Sequence, residues 1–344
     1  MAPVINAKTV FNEIPTGYPV PGKTTVYDTS ETIDLENEPL HGGFLAKTLI
    51  IAIDPFLRNR MNIQQGTDKP GFEFGRPLSA FGLAKILRSE DPSVKAGDVI
   101  RGGQIPFQQY FVRNDATGFE ILKDNHSLPW SLWVGVLGMP GHTAYVGWKE
   151  HARAKKGETI FVSAAAGSVG SLILQFAKRD GLKVIASAGS DDKVAWLREL
   201  GADVAFNYKT ESTAEVLKRE GPLDIYFDNV GGETLDLALE NAAPRGSRFL
   251  ECGMISNYNE ENPYRLKNAL FIIKKEIAIN GFFFGSLLPK WGADFEREMP
   301  PLVKEGAIKF QEDAVRGLEH AGQSLADVQR GTVLGKRVVI VADH

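Results

Sequence analysis

Hydrophobic and polar positions along the 344-residue chain fall into three textures. Up to about residue 127, short β-branched runs such as 46–53 are separated by Pro, Gly and Thr, which predicts an irregular, mainly β domain. Beyond about 128 the period changes. Ile160, Phe161 and Val162 follow Thr159 as a short strand-like run, whereas Val169, Leu172, Ile173, Phe176 and Ala177 recur at i, i+3, i+4, i+7 and i+8, one face of an amphipathic helix. Further runs at 183–187, 203–206, 223–228 and 247–251 alternate with helix-period segments, the pattern of an α/β unit with a doubly wound parallel sheet. A helix at 264–275 and a strand at 276–280 extend it to about 300, and residues 337–341 read as a strand that rejoins the first domain. The expected organisation is therefore 1–127, completed by 301–344, and 128–300.

Between the first strand and helix of the alternation stands A-A-A-G-S-V-G at 164–170. Small residues at such a junction let backbone amides approach an anion and expose the positive end of the helix dipole. Against the dinucleotide fingerprint G-x-G-x-x-G, Ala165 takes the first glycine position, Gly167 and Gly170 keep the second and third, and Ser168 and Val169 lie between. A turn whose glycines only pack helix on strand satisfies the same motif. The end of the second strand discriminates. Where an NAD site places an acid for the ribose 2′-hydroxyl, this chain has Ala188, Gly189 and Ser190, with Lys193 at the start of the next helix. A lysine and a serine hydroxyl suit a 2′-phosphate, so the cofactor is read as NADP(H). Asp191 and Asp192 compete as ribose ligands but are accounted for by capping and the helix dipole. The opposing reading of Lys193 is a solvated surface lysine.

Composition narrows the class. Lys and Arg total 39 against 43 Asp and Glu, a formal net charge of −4 without long like-charge runs, which argues against nucleic acid as the main partner. No stretch approaches 18 consecutive apolar residues and the first residues lack the apolar core of a signal peptide, so a cytoplasmic protein without a membrane partner is expected. The single cysteine, Cys252, allows no internal disulfide or multi-cysteine zinc site, and no metal is expected. As a nucleophile Cys252 has no evident His partner beside it; a small buried thiol after a strand is the simpler reading.

Ligands of open α/β sheets bind beyond the carboxyl ends of the strands. D-N-V-G-G at 228–232 and C-G-M-I-S-N-Y-N at 252–259 follow the fourth and fifth strands of the alternation and should face the cofactor. On turn chemistry alone Asn229 is equally a turn former before Gly-Gly; its place at a strand end selects cofactor binding. Tyr258 and Tyr208 are either exposed loop aromatics or functional hydroxyls.

Together with D-P-F-L-R-N-R-M at 54–61, L-G-M-P-G-H-T-A-Y at 137–145, A-G-S-D-D-K-V at 188–194 and F-N-Y-K at 206–209, these blocks resemble the zinc-independent medium-chain dehydrogenase/reductase superfamily. Within it they are similar to the leukotriene B4 dehydrogenase, prostaglandin reductase and plant alkenal double-bond reductase group, over nearly the whole chain. The resemblance implies a GroES-like β domain with a Rossmann domain, and NADPH bound with Lys193 and Tyr208 near the 2′-phosphate and Asn229 near the ribose and nicotinamide. It implies that Cys252, Gly253, Ile255 and Ser256, with Phe282 and Phe284, frame the nicotinamide, and that a homodimer forms through the sheet edge near 277–284.

The chemistry implied is reduction of the carbon-carbon double bond of an α,β-unsaturated aldehyde or ketone. Hydride adds at the β-carbon and charge collects on the carbonyl oxygen, for which Tyr258 and a ribose hydroxyl are the candidate donors; a tyrosine of pKa about 10 stays protonated at neutral pH. A zinc-free NADPH:quinone oxidoreductase and a non-catalytic NADP-binding sensor are the alternatives. Departures from the group bear on the substrate. Phe56 and Phe81 stand where members carry Tyr, which makes a pocket shared with Tyr258 and Phe283 more apolar, and Val333 replaces an Asn that contacts the cofactor. His142 replaces an aliphatic residue and is read as a satisfied helix histidine.

Overall fold

In the computed structural model, which describes residues 2–64, 66–67 and 70–343, the short β-branched runs of the first third form β1 (Val4–Ile5), β2 (Lys8–Phe11), β3 (Thr25–Asp28), β4 (Thr32–Ile33) and β5 (Phe44–Ala52). They continue as β6 (Ser79–Ser89), β7 (Val99–Pro106), β8 (Tyr110–Arg113) and β9 (Phe119–Ile121). The middle of the chain alternates: α1 (Met139–Gly147), β10 (Thr159–Val162), α2 (Gly170–Arg179), β11 (Lys183–Ala188), α3 (Asp191–Glu199), β12 (Val204–Asn207), α4 (Thr213–Glu220) and β13 (Ile225–Asp228). Then come α5 (Gly232–Asn241), β14 (Arg248–Glu251), α6 (Leu270–Lys274), β15 (Ala278–Gly281) and α7 (Phe284–Lys304). The tail adds β16 (Glu312–Arg316), α8 (Ala321–Arg330) and β17 (Lys336–Ile340). Two compact units result, residues 1–135 with 312–344 and residues 136–311.

The first unit is built on β5, whose sequence F-L-A-K-T-L-I-I-A is buried almost throughout, as a strand covered on both faces requires. Its sheet runs β16-β17-β5-β6-β7-β9, with β8 also on β5. The tail belongs to it through β17, which pairs antiparallel with β5 so that Val339 faces Ile51. Phe44, Ile51, Leu57, Phe107 and Val339 share one core.

The chain leaves this unit at Gly135 and re-enters at Glu312, and both ends meet a buried charge. Lys336 Nζ donates to Asp54 Oδ1 at 2.7 Å and to the Ile53 carbonyl at 2.6 Å, with both side chains 4% exposed. Glu312 accepts from Ser131 Oγ at 2.8 Å, and burial raises its carboxyl above the usual range. A Cβ at Gly135 would stand 3.5 Å from Lys336 Cγ and 3.6 Å from Glu312 Oε1, ordinary contact distances that place the exit point beside both charges.

The second unit carries a parallel sheet in the order β12-β11-β10-β13-β14-β15, with β10 and β13 adjacent where the order reverses. Phe206, Phe161 and Tyr226 stack across one face, Phe249 meets Tyr226 edge to face, and the group packs with Val216, Leu217 and Leu239 from α4 and α5.

Four expectations need correction. The boundary read at 127/128 falls before a 3-10 helix, Trp130–Val134, that contacts β5 and β6; Trp133 is buried under Arg101, whose guanidinium lies 5.7 Å from the indole. The boundary read at 300/301 falls inside α7, which continues through Pro300 and Pro301. The helix read at 264–275 is confined to Leu270–Lys274, because Asp236 Oδ1 takes the backbone N–H groups of Lys267 and Asn268 and Oδ2 takes the Tyr264 hydroxyl, which holds this stretch in loop form. The following strand starts later than read, at Ala278.

Because removal of Lys336 leaves Asp54 buried and uncompensated, Lys336→Met is expected to cost about 3–5 kcal/mol of stability. Urea unfolding checks it, and adding Asp54→Asn is expected to restore much of the loss.

Candidate active site

Three turns emerge side by side at the carboxyl ends of β10, β13 and β14, whose registers place Val162 beside Phe227 and Asp228 beside Glu251. This is the switch point of the sheet, where the crossovers leave in opposite directions and open a crevice.

The first turn explains the missing glycine. Its left-handed residue is Ala164, at φ 46°, so the residue that takes the first fingerprint position, Ala165, is outside the region that demands glycine. Ala165 is buried and its N–H donates to the Ser187 carbonyl at 2.9 Å, tying the turn to β11. The third position has no such freedom: a Cβ on Gly170 would lie 2.7 Å from both the Ala164 oxygen and Ala165 Cα. Gly167, Ser168 and Val169 lead into α2, whose start carries no acidic residue and no side-chain cap, which leaves the positive end of its dipole for an anion.

At the end of β11, Ser190 is the N-cap residue of α3 and makes no capping bond. Asp191 Oδ1 accepts from Asn207 Nδ2 at 2.9 Å, so this carboxylate is engaged with the end of β12. Lys193 stands in the first turn of α3, where burial, then the neighbouring Lys209 charge, lowers its ammonium below the ordinary lysine range. Two crowded cations are the condition that a bound phosphate relieves. Tyr208 is half exposed and lays its ring on Gly189, where a Cβ would meet its hydroxyl at 2.9 Å. Gly189, Ser190, Lys193, Tyr208 and Lys209 thus form one basic, hydroxyl-bearing corner.

Sequence reading missed the residue that joins the other turns. Asp228 is fully buried, and its Oδ1 accepts from Tyr226 Oη at 2.6 Å, Val230 N at 2.7 Å, Gly231 N at 2.8 Å and Ser163 Oγ at 3.2 Å. Its carbonyl accepts from Cys252 N and Gly253 N at 3.0 and 3.1 Å. The D-N-V-G-G pattern was a signal for such an Asx turn. Ser163 also accepts from Asn229 N at 3.0 Å, and its carbonyl takes Asn229 Nδ2 at 2.8 Å, so Asn229 is fixed by the end of β10.

The third turn closes onto the second. Ile255 N donates to the Asn229 carbonyl at 3.2 Å, and Ser256 Oγ donates to the Val230 carbonyl at 2.6 Å. Gly231 and Gly232 have φ of 68° and 56°, and Cβ atoms there would strike Met254 at 2.7 Å and Ser256 Oγ at 2.8 Å. Tyr258 follows the short helix Ile255–Asn257, its hydroxyl 3.2 Å from where a Gly253 Cβ would be. Burial, then the charges of Asp228 and Glu251, pushes the Cys252 thiol up to about 12, which leaves it protonated and inert.

The remaining candidates are spread more widely. Phe282 packs on Gly147 and lies 6.2 Å from the Phe227 ring and 5.8 Å from His151, while Phe283, 67% exposed, leans on Phe284 at 5.1 Å. In the first unit Phe56 and Phe81 meet edge to face at 6.3 Å. His142 is buried, its ring tilted 36° against Phe295 at 4.1 Å and its Nε2 3.2 Å from Glu296 Oε1, a helix histidine with its partners.

A sheet of this order, with an anion-ready helix start and a basic corner at the next strand end, fits a phosphorylated dinucleotide and defines a dinucleotide-dependent oxidoreductase. Family models agree: residues 168–304 match zinc-binding dehydrogenases and residues 8–121 match the N-terminal domain of oxidoreductases. The chain is 38% identical to an NADP(+)-dependent 2-alkenal reductase of Nicotiana tabacum over 98% of both proteins. It is 41% identical to (+)-pulegone reductase of Mentha piperita over 88% of this chain and 89% of that protein. The crystal structure of CurA in complex with NADPH from Vibrio vulnificus superposes with a TM-score of 0.87 at 28% identity, covering 98% of this chain and all of that one. The chain belongs to the zinc-independent medium-chain dehydrogenase/reductase superfamily, in the group of the alkenal double-bond and prostaglandin reductases.

Proposed function

We propose that the protein uses NADPH to reduce the carbon-carbon double bond of α,β-unsaturated aldehydes and ketones. Its cofactor is NADP(H), as for the relatives named for that dependence and the solved CurA complex. Gly167, Ser168, Val169 and Gly170 would hold the pyrophosphate, and Ser190, Lys193 and Tyr208 the 2′-phosphate. Asn229, Cys252, Gly253, Ile255 and Ser256, with Phe282 and Phe284, would border the nicotinamide. When bound, NADPH supplies the hydride and a ribose hydroxyl as one donor to the substrate oxygen.

The observation that carries the reading is the position of Tyr258, its hydroxyl over Gly253 where the turns after β13 and β14 are bonded together. A neutral hydroxyl aimed at the carbonyl oxygen of an enone stabilises the charge that gathers there as the β-carbon is reduced. Tyr258 is the proposed donor to that oxygen, and Phe283 an apolar substrate surface. In the first unit the hydroxyl-free pair Phe56 and Phe81 is proposed as a second apolar surface, which favours hydrocarbon-rich substrates.

We further propose a cytoplasmic enzyme and a homodimer. Among the described residues no helix is long and apolar enough to cross a membrane. The edge strand β15 is largely exposed, with Ile279 38% accessible and Ile273 of α6 78%, and an open apolar edge invites a second copy.

A panel of 2-alkenals, aryl enones and quinones followed by NADPH absorbance tests the activity: saturated aldehydes and ketones are expected as products, and turnover of quinones alone would overturn it. For Tyr258→Phe, kcat is expected to fall about 10²- to 10³-fold with NADPH affinity nearly unchanged, and an unaltered kcat removes Tyr258 from the chemistry. Lys193→Ala is expected to weaken NADPH about tenfold or more and to leave NADH nearly unaffected, since only the former carries the phosphate. Equal losses would contradict the assignment.

A further inference from the structure

We propose that Glu251 and Asp228 share one proton, and that this carboxyl pair positions the turns at 228–232 and 252–258 that receive the cofactor.

The two side chains sit on adjacent strands in register, Asp228 on β13 beside Glu251 on β14, and so point to the same face of the sheet. Asp228 Oδ2 and both carboxyl oxygens of Glu251 are buried, and none receives a donor from the described residues. Among the described residues four donors reach the pair, all at Asp228 Oδ1. Two ionised carboxylates in this place would set three acceptors without a hydrogen bond against one another, out of water. A single proton resolves the conflict: carried by Glu251 and donated to Asp228 Oδ2, it completes the shell of the carboxylate on which the turns hang.

The remaining titratable surroundings do not supply that donor. Tyr226 on β13 already donates to Asp228 Oδ1, and Cys252, just after β14, stays protonated. Opposite Glu251 on β15 is Gly281, which has no side chain. α5 carries Glu233, Asp236 and Glu240, and the segment after β14 carries Tyr258, Glu260, Glu261, Tyr264, Arg265 and Lys267; Asp236 is occupied by Tyr264, Lys267 and Asn268. The π-helical turn Trp148–Ala152, which contacts β14, carries Lys149, Glu150 and His151; Glu150 is engaged by Lys290 and Trp291, and His151 lies against Phe282. Burial first, and the Asp228 charge second, push the Glu251 carboxyl up from 4.5 to about 9. The proton is therefore held at neutral pH, and its loss at alkaline pH places a second negative charge behind the turns.

Glu251 is thus a positioning residue. In the apo protein at neutral pH, infrared difference spectroscopy between the wild type and Glu251→Gln is expected to show a protonated-carboxyl band belonging to the wild type; its absence overturns the shared proton. Relative to Glu251→Gln, the wild type is expected to lose thermal stability as pH rises from 4.5 to about 9 and to level off above, because only the folded chain keeps the proton in that window. A pH-independent difference contradicts the proposal. NADPH affinity at neutral pH is expected to stay within about twofold in Glu251→Gln, whose amide supplies the donor, and to fall about tenfold in Glu251→Val, which supplies none. Above about pH 9 the wild type is expected to weaken more than Glu251→Gln, the shared part of the loss coming from the lysines. Superimposed profiles, or equal affinities of the two variants, overturn the positioning role. The affinity measurements rest on the proposed cofactor and the infrared and stability measurements do not, so a wild type that fails to bind NADPH overturns the cofactor reading while the band still decides the shared proton.

Discussion

A carboxylate taken out of water has to find its hydrogen bonds inside the protein, and Asp228 finds them on several elements at once. Tyr226 comes from its own strand, Ser163 from the end of β10, Val230 and Gly231 from the turn that follows it, and its carbonyl holds Cys252 and Gly253 after β14. Each donor satisfied is also a turn placed. Remove this acceptor and the switch point of the sheet loses the common anchor of Asn229, of the Gly-Gly pair, and of the segment that carries Tyr258. The two glycines follow from the same constraint, since the loops approach until Met254 and Ser256 leave no room for a Cβ.

The first unit uses a related device with the opposite sign. There a buried lysine, Lys336 from the tail, binds Asp54 just before the 3-10 helix Pro55–Met61 that carries Phe56, and lies where the chain leaves and re-enters the unit. Such a pair adds little net stability over well-packed apolar groups, yet it penalises every arrangement in which one partner is buried alone. It therefore joins the tail strand to the segment ahead of it with more selectivity than a patch of valines would.

Much of the fold was legible because β10, β11 and β13 are short apolar runs that alternate with helix-period segments, and because strand ends in such sheets are where ligands go. Lys193, Tyr208, Asn229 and Tyr258 were singled out as candidates by that rule and by the resemblance of their surrounding blocks. What escaped the sequence were properties of register. Nothing in the sequence singles out Glu251, and only the pairing of β13 with β14 sets it beside Asp228. Asp236 likewise cut short a helix that periodicity alone extended, by taking backbone donors from a segment distant in the chain. Ala165 looked like a defect in a glycine motif until the backbone placed the left-handed residue one position earlier.

The activity proposed here differs from carbonyl reduction in which carbon receives the hydride, and an isotope distinguishes the two without reference to rate. NADPH deuterated at the transferred position of the nicotinamide, incubated with the protein and an acyclic enone, is expected to yield the saturated ketone with deuterium on the former β-carbon. Deuterium on the carbinol carbon of an allylic alcohol would contradict the account.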